Sequence, residues 1–160
     1  MNTRRHWTLG LAFGALSLPL IWAAQNPTAK PATSKITGAT LTAASELKWV
    51  AMPGLPGAEQ SPLWGDSTKE AHGIFYRWPA GTKAPLHSHT FGDRGVIVSG
   101  MLSLALEGQA PKKLAPGSYF SLGGGVKHAT AVEGDAPCVF FLTREGPFDA
   151  VMVEEAGAKK

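Results

Sequence analysis

Residues 81–93 read GTKAPLHSHTFGD and place two histidines, His87 and His89, two positions apart, with the carboxylate of Asp93 four residues further on. Side chains at i and i+2 of a β-strand project from the same face, so the two imidazoles can converge on one point. Imidazoles and carboxylates bind Zn, Fe, Mn, Ni and Cu in proteins. A His-x-His pair also occurs by chance, so its meaning depends on the rest of the chain.

A regular spacing surrounds this pair. Five residues separate Gly81 from His87, three separate His89 from Asp93, and six separate Asp93 from Gly100. This order resembles the first of the two sequence motifs of the cupin superfamily, Gly-x5-His-x-His-x(3,4)-Glu-x6-Gly. Asp93 stands in the Glu position of that motif.

A third histidine lies in a second motif further along the chain. Gly117 is followed after five residues by Gly123-Gly124-Gly125 and, after two more, by His128. The order is similar to the second cupin motif, Gly-x5-Pro-x-Gly-x2-His-x3-Asn, with Gly123 in the place of Pro and Val132 in the place of Asn. The resemblance covers residues 81–128.

The resemblance implies both a fold and a metal site. Cupins are small β-barrels of the RmlC-like jelly-roll type, whose paired His, Glu and second-motif His bind a metal in the barrel. It therefore implies one divalent ion (Fe, Zn, Mn, Ni or Cu), with His87, His89, Asp93 and His128 in the ligand positions. Because Asp is one methylene shorter than Glu, direct ligation by Asp93, ligation through water and no ligation are all open.

The pattern of the whole chain favours strands. Hydrophobic residues make up 44% and charged residues 17%, which is typical of a globular protein, and 19 Gly and 12 Pro separate short apolar runs. No stretch shows a sustained helical repeat. We expect an all-β fold, a single cupin-type double-stranded β-helix (jelly-roll barrel), with Lys112-Lys113 in a turn. The strands are predicted at 47–52, 72–78, 86–89, 95–99, 101–107, 119–121, 128–133, 137–143 and 150–153.

The N-terminal segment has the layout of an export signal. Arg4-Arg5 precede an uncharged, mostly apolar run over residues 7–24. The arginine pair loosely resembles a twin-arginine signal, and the run is close to the ~20 residues that a membrane span requires. We therefore interpret residues 1–24 as an export signal or membrane anchor, 25–45 as a flexible leader and 46–155 as the barrel domain. The predicted location is periplasmic or secreted.

Charge and cysteine content restrict the partners. Without Arg4 and Arg5, 13 basic side chains face 12 acidic ones, a balance that does not favour nucleic acid. We expect a small-molecule ligand or substrate, membrane contact only through an uncleaved N-terminal segment, and a possible homodimer through an edge strand. The only cysteine, Cys138, cannot form an internal disulfide and lies in an apolar run, so a buried structural thiol is predicted.

Two further residues are candidates for proton transfer. His72 and Tyr76 share one face of the predicted strand 72–78, so both can contact a ligand if that face lines the barrel. A purely structural position in the sheet is the alternative for each.

The function predicted from these residues is that of a metal-dependent enzyme acting on a small molecule. Fe(II) would give a dioxygenase, whereas Zn or Mn would act as a Lewis acid in isomerase, lyase or hydrolytic chemistry. The alternative is a non-catalytic module that binds or senses a metal or a small molecule. The fold by itself does not choose between them.

Overall fold

Short apolar runs separated by turns rich in glycine and proline form the strands of the fold. The computed structural model describes residues 38–153, which form one turn of 3-10 helix, Ala44–Glu46, and eleven strands. The strands are β1 (Val50–Ala51), β2 (Glu59–Trp64), β3 (His72–Trp78), β4 (Lys83–Ser88), β5 (Asp93–Ser99), β6 (Met101–Leu106), β7 (Lys112–Leu114), β8 (Tyr119–Leu122), β9 (His128–Glu133), β10 (Cys138–Arg144) and β11 (Val151–Met152).

The described residues cover only part of the predicted domain organisation. The predicted export segment 1–24, most of the predicted leader 25–45 and the last two residues of the predicted barrel domain 46–155 lie outside them. No helix within 38–153 has the length and apolar character needed to cross a membrane.

The strands form two antiparallel sheets. The six-stranded sheet has the order β1-β2-β3-β10-β5-β8, and the five-stranded sheet has the order β11-β4-β9-β6-β7. Neighbouring strands are often far apart in sequence, as when β10 pairs with both β3 and β5. Such an exchange of strands between two sheets is typical of jelly rolls. The prediction of an all-β jelly roll is confirmed.

The inward faces of the two sheets form the core. In β3 the residues Ile74, Tyr76 and Trp78 are buried, and in β10 the buried residues Phe140 and Leu142 alternate with half-exposed ones. Burying one such aliphatic or aromatic side chain stabilises the fold by about 1.5–3 kcal/mol. The core continues across the other sheet through residues such as Leu102, Leu114 and Val132.

Two strands were not predicted. β2 contains Pro62, which sequence reasoning excludes from a central strand, and the register with β3 shifts beside this proline. β7 is only three residues long and lies at the edge of its sheet. The prediction that Lys112-Lys113 form a turn is wrong, because both residues lie in β7 and pair with β6. Exposed lysines are common on edge strands, where they discourage further pairing.

Candidate metal centre

The three histidines of the two motifs meet at one end of the five-stranded sheet. His87 lies near the end of β4, His128 begins β9, and the two are directly opposite each other in the β4–β9 pairing. His89 is the first residue after β4. The rings of His87 and His89 lie 4.8 Å apart between centroids, and those of His87 and His128 lie 4.4 Å apart. All three are buried, and their candidate ligand nitrogens lie within 4.8 Å of one another.

Hydrogen bonds to backbone carbonyls fix the tautomer of each imidazole. The Nδ1 of His87 lies 2.7 Å from the oxygen of Pro85, that of His128 lies 3.0 Å from the oxygen of Val126, and that of His89 bonds to the oxygen of Asp149. A carbonyl oxygen only accepts, so each Nδ1 carries the hydrogen and each neutral ring keeps a lone pair on Nε2. Metal-ligating histidines are oriented in this way, and the three residues therefore fit a divalent ion.

Burial keeps two of these rings neutral. Desolvation, reinforced by the positive charge of Arg144, lowers the pKa of His89 to about 4. Desolvation also lowers the pKa of His128. Since neutral imidazole is the form that binds a metal, burial prepares the site for an ion at neutral pH.

Asp93 lies beside the three histidines but is engaged by an arginine. The Nε of Arg144 lies 2.5 Å from Oδ1 of Asp93, and an Nη atom lies 2.7 Å from Oδ2. Oδ2 of Asp93 is 3.8 Å from Nε2 of His89. Within residues 38–153, the cluster that could hold a metal comprises the three histidines, without Asp93. Ligation by Asp93 stays a prediction.

The glycine-rich turn before His128 brings the two motifs together. The backbone nitrogen of Gly125 donates to the oxygen of His89 over 2.8 Å. A Cβ on Gly124 would collide with the carbonyl oxygen of Thr90, so this position requires glycine. The turn therefore packs directly against His89 and Thr90, and it places His128 beside the other two histidines.

The segment after β10 completes the site. The backbone oxygen of Asp149 accepts the Nδ1–H of His89, while its carboxylate accepts from the backbone nitrogen and the hydroxyl of Thr90 at 2.9 and 2.5 Å. These bonds lower the pKa of Asp149. β11 then pairs with β4, with Met152 opposite His87. Sequence reasoning missed Asp149, since a backbone carbonyl leaves no signature in the sequence.

Arg144 was also missed, although a signal for it existed. Cys138, Phe140 and Leu142 alternate on the buried face of β10, and the same alternation places Arg144 inward. A charged residue at the buried end of an apolar strand requires a partner, and Asp93 supplies it.

A cavity of about 420 Å³ opens beside the histidines between the two sheets. Tyr76 lines it, and burial raises the pKa of this phenol to about 12. His72 is fully buried, does not line the cavity and bonds through Nδ1 to the oxygen of Glu70. The face shared by the two residues is thus as expected, but of the two only Tyr76 lines the cavity, although His72 lies opposite Arg144 in the β3–β10 pairing. The other lining residues are mainly apolar and include Met52, Leu55, Trp78, Leu102, Leu104, Phe120, Phe140, Leu142 and Phe148.

With this geometry established, comparison with known proteins assigns the family. Residues 22–151 match the family described as Domain of unknown function (DUF4437). The chain belongs to this family. No curated protein matches it.

Solved structures of cupin type share the fold. The polyketide cyclase RemF from Streptomyces resistomycificus superposes with a TM-score of 0.62 at 16% identity, over 75% of this chain and 89% of RemF. An RmlC-like cupin from Shewanella frigidimarina gives 0.55 at 16% identity, over 69% and 93% of the two chains. The DMSP lyase DddQ from Ruegeria pomeroyi gives 0.56 at 21%, over 71% and 64%. The cupin fold predicted from the motifs is confirmed, and its neighbours include enzymes.

Proposed function

We propose that this protein is a metal-dependent enzyme that acts on a small molecule bound in the barrel cavity. The observation that carries the proposal is the convergence of His87, His89 and His128, each with its Nδ1–H committed to a backbone carbonyl. Three such imidazoles beside a cavity of about 420 Å³ match a site with open coordination positions for a substrate.

The three histidines would hold the ion at the end of the cavity. A divalent ion bound there supplies a Lewis acid and, where it is iron, redox chemistry with oxygen. The reaction is accordingly of the isomerase or lyase type with Zn, Mn or Ni, and of the dioxygenase type with Fe. The apolar walls exclude water from a bound molecule, which strengthens every polar interaction inside the cavity.

Tyr76 is the residue with a chemical role on the opposite wall. A phenol whose pKa is raised to about 12 stays protonated at neutral pH, so it donates a hydrogen bond or a proton and does not act as a base. Its ring is held by Phe140 and Trp78, at centroid distances of 5.3 and 6.3 Å. This packing fixes the hydroxyl relative to the histidines.

One observation favours the alternative of a non-catalytic binding module. The carboxylate of Asp93, the only one lining the cavity among the described residues, is paired with Arg144 and is therefore not free to serve as a general base. A protein that binds a metal and a ligand without turning the ligand over needs no such base. The two functions differ in turnover and not in binding.

We further propose that the protein is exported. Arg4-Arg5 and the apolar run to residue 24 support this, and a twin-arginine route would allow export of a folded, metal-loaded barrel. Fractionation of cells that express the full chain tests the proposal. Retention in the cytoplasm of the wild type and of an Arg4→Lys/Arg5→Lys variant alike would contradict it.

Activity of metal-loaded and metal-free protein tests the enzymatic proposal. Oxygen uptake with diketones, thiols and phenols screens for a dioxygenase, and product analysis under nitrogen screens for lyase and isomerase reactions. We expect turnover that chelation abolishes, that His128→Ala abolishes and that Tyr76→Phe reduces. Ligand binding without turnover across the screen would establish the non-catalytic alternative instead.

A further inference from the structure

A buried ion pair lies at the point where the metal-bearing end of the cavity meets the six-stranded sheet. Arg144 and Asp93 have side chains that are 2% and 4% exposed, and two parallel hydrogen bonds of 2.5 and 2.7 Å join them. Bidentate pairs of this kind have a defined geometry, and separating them leaves a buried charge without a partner. Both oxygens of the carboxylate are therefore committed to the guanidinium.

The position of Arg144 is itself fixed from two sides. It is opposite Asp93 in the β10–β5 pairing, so backbone register brings the two side chains together. The guanidinium carbon also lies 4.8 Å from the centre of the Phe148 ring, a cation–π contact with a residue that lines the cavity. Arg144 thus has little freedom to release its partner.

We propose that Arg144 holds Asp93 back from the metal, so that three neutral imidazoles alone bind the ion and the centre selects a monoanionic ligand with an apolar body. This inference rests on the proposed metal site and extends it to the class of ligand.

The charges at the site determine the preferred ligand. An imidazole that binds an ion through Nε2 while its Nδ1–H bonds to the carbonyl of Pro85, Val126 or Asp149 is a neutral ligand, and the charge of Asp93 is balanced by Arg144. The two positive charges of the ion are then not offset by any protein ligand. An uncompensated charge in a buried site is unfavourable, and an anionic ligand relieves it.

The walls of the cavity favour an apolar body for the rest of the ligand. Apart from the residues at the metal end, the side chains with a hydroxyl group that line it within 38–153 are Tyr76 and Thr130, and the rest are aliphatic, aromatic or thioether side chains and one glycine. Neither of the two carries a charge at neutral pH. A second charged group on the ligand would have no partner there, whereas each methylene buried against these walls strengthens binding.

The first experiment measures ligand preference in the full chain loaded with Co(II), whose absorption reports ligand binding. Acetate, butyrate, hexanoate and the neutral analogue hexanamide serve as probes. We expect hexanoate to bind roughly 100-fold more tightly than acetate, since it buries four more methylenes. Hexanamide should bind at least about tenfold more weakly than hexanoate. Equal affinities within either pair would overturn the proposed ligand class.

The second experiment releases Asp93. In Arg144→Gln the carboxylate has lost its partner and becomes available to the ion, so we expect Co(II) affinity to rise at least about tenfold and hexanoate affinity to fall by a similar factor. The double variant Asp93→Asn/Arg144→Gln keeps a neutral hydrogen-bonded pair and should return both affinities to within about threefold of the wild type. Weaker Co(II) binding in Arg144→Gln would overturn the role of Arg144.

Controls separate these outcomes from failure of the metal site or of folding. Arg77→Gln removes an arginine whose ion pair with Glu59, at 2.6 Å, is partly exposed, and it should change neither affinity. If only the double variant folds, loss of Co(II) affinity by more than about 100-fold in it would identify Asp93 as a ligand and refute the proposal. If the wild type binds no Co(II), the metal site itself fails; if it binds Co(II) but the carboxylates do not differ, only the present inference fails.

Discussion

The hydrogen bonds between Asp149 and Thr90, called the clasp below, provide a sensitive test of how the candidate metal centre is held together. Asp149→Ala removes the two hydrogen bonds of 2.9 and 2.5 Å that its carboxylate accepts from Thr90. It keeps the backbone carbonyl that accepts the Nδ1–H of His89. The substitution therefore leaves every candidate ligand intact and loosens only the segment that orients one of them.

The expected magnitudes follow from the exposure of the clasp. Hydrogen bonds to a charged group contribute about 1.5–3 kcal/mol when well protected, and less here because the groups are exposed to water, so we expect a loss of about 1–2 kcal/mol in the free energy of unfolding. Removing a group that orients a metal-ligating histidine typically costs about 10–100-fold in metal affinity. The carbonyl itself remains, so we expect the lower end, about tenfold.

Competition with a chelator measures metal affinity, and urea unfolding of the metal-free protein measures stability. Asp135→Ala is the matched control, because Asp135 is an exposed aspartate in the turn between β9 and β10. If Asp149→Ala lowers stability but binds metal as tightly as Asp135→Ala, the clasp does not orient His89 and the reasoning is refuted.

Three further predictions concern acid, alkylation and backbone. The free energy of unfolding of the metal-free protein in urea should fall as pH falls from about 6.5 to about 4. Below about pH 6.5 the unfolded chain takes up a proton on His89, whereas in the folded chain the pKa of His89 is lowered to about 4 and the ring stays neutral. Unchanged stability over this range would contradict the prediction. Iodoacetamide at pH 8 should modify Cys138 much more slowly in the folded protein than in urea, because the thiol is fully buried and burial raises its pKa to about 11. Equal rates would show that the thiol is accessible in the folded protein. Gly124→Ala should lower the free energy of unfolding by more than about 2 kcal/mol and weaken metal binding, because the added Cβ meets the carbonyl oxygen of Thr90. Gly123→Ala is the control and should be tolerated, since the nearest atom to its Cβ is 3.9 Å away. Similar effects of the two substitutions would be inconsistent with the proposed role of the turn.

Local patterns in the sequence predicted much of the fold. Short apolar runs between turn residues predicted β3 and β9 with the bounds that the structure has, and the spacing of His87, His89 and His128 predicted their convergence. This pattern failed where a strand carries Pro62 or begins with two lysines at the edge of a sheet. In those strands, pairing with a neighbour overrides the intrinsic preference of the residues.

The parts of the site that could not be predicted depend on contacts between distant residues. Arg144 meets Asp93 across 51 positions of sequence, and the carbonyl of Asp149 meets His89 across 60. Neither contact produces a periodicity or a fixed spacing, because each follows from the exchange of strands between the sheets. Motif spacing therefore predicts the cluster of three histidines, but not that the carboxylate beside them is bound by an arginine.

Elemental analysis of the protein, purified without a histidine tag, tests the central claim most directly, in parallel with a His87→Ala/His89→Ala variant. The account predicts about one equivalent of a divalent transition metal in the wild type and almost none in the folded variant, because two of the three imidazoles are lost. The variant Lys112→Ala, on the exposed edge strand, should retain the full equivalent. Equal metal content in the wild type and the double variant, or no metal in the wild type even after reconstitution, would contradict the account.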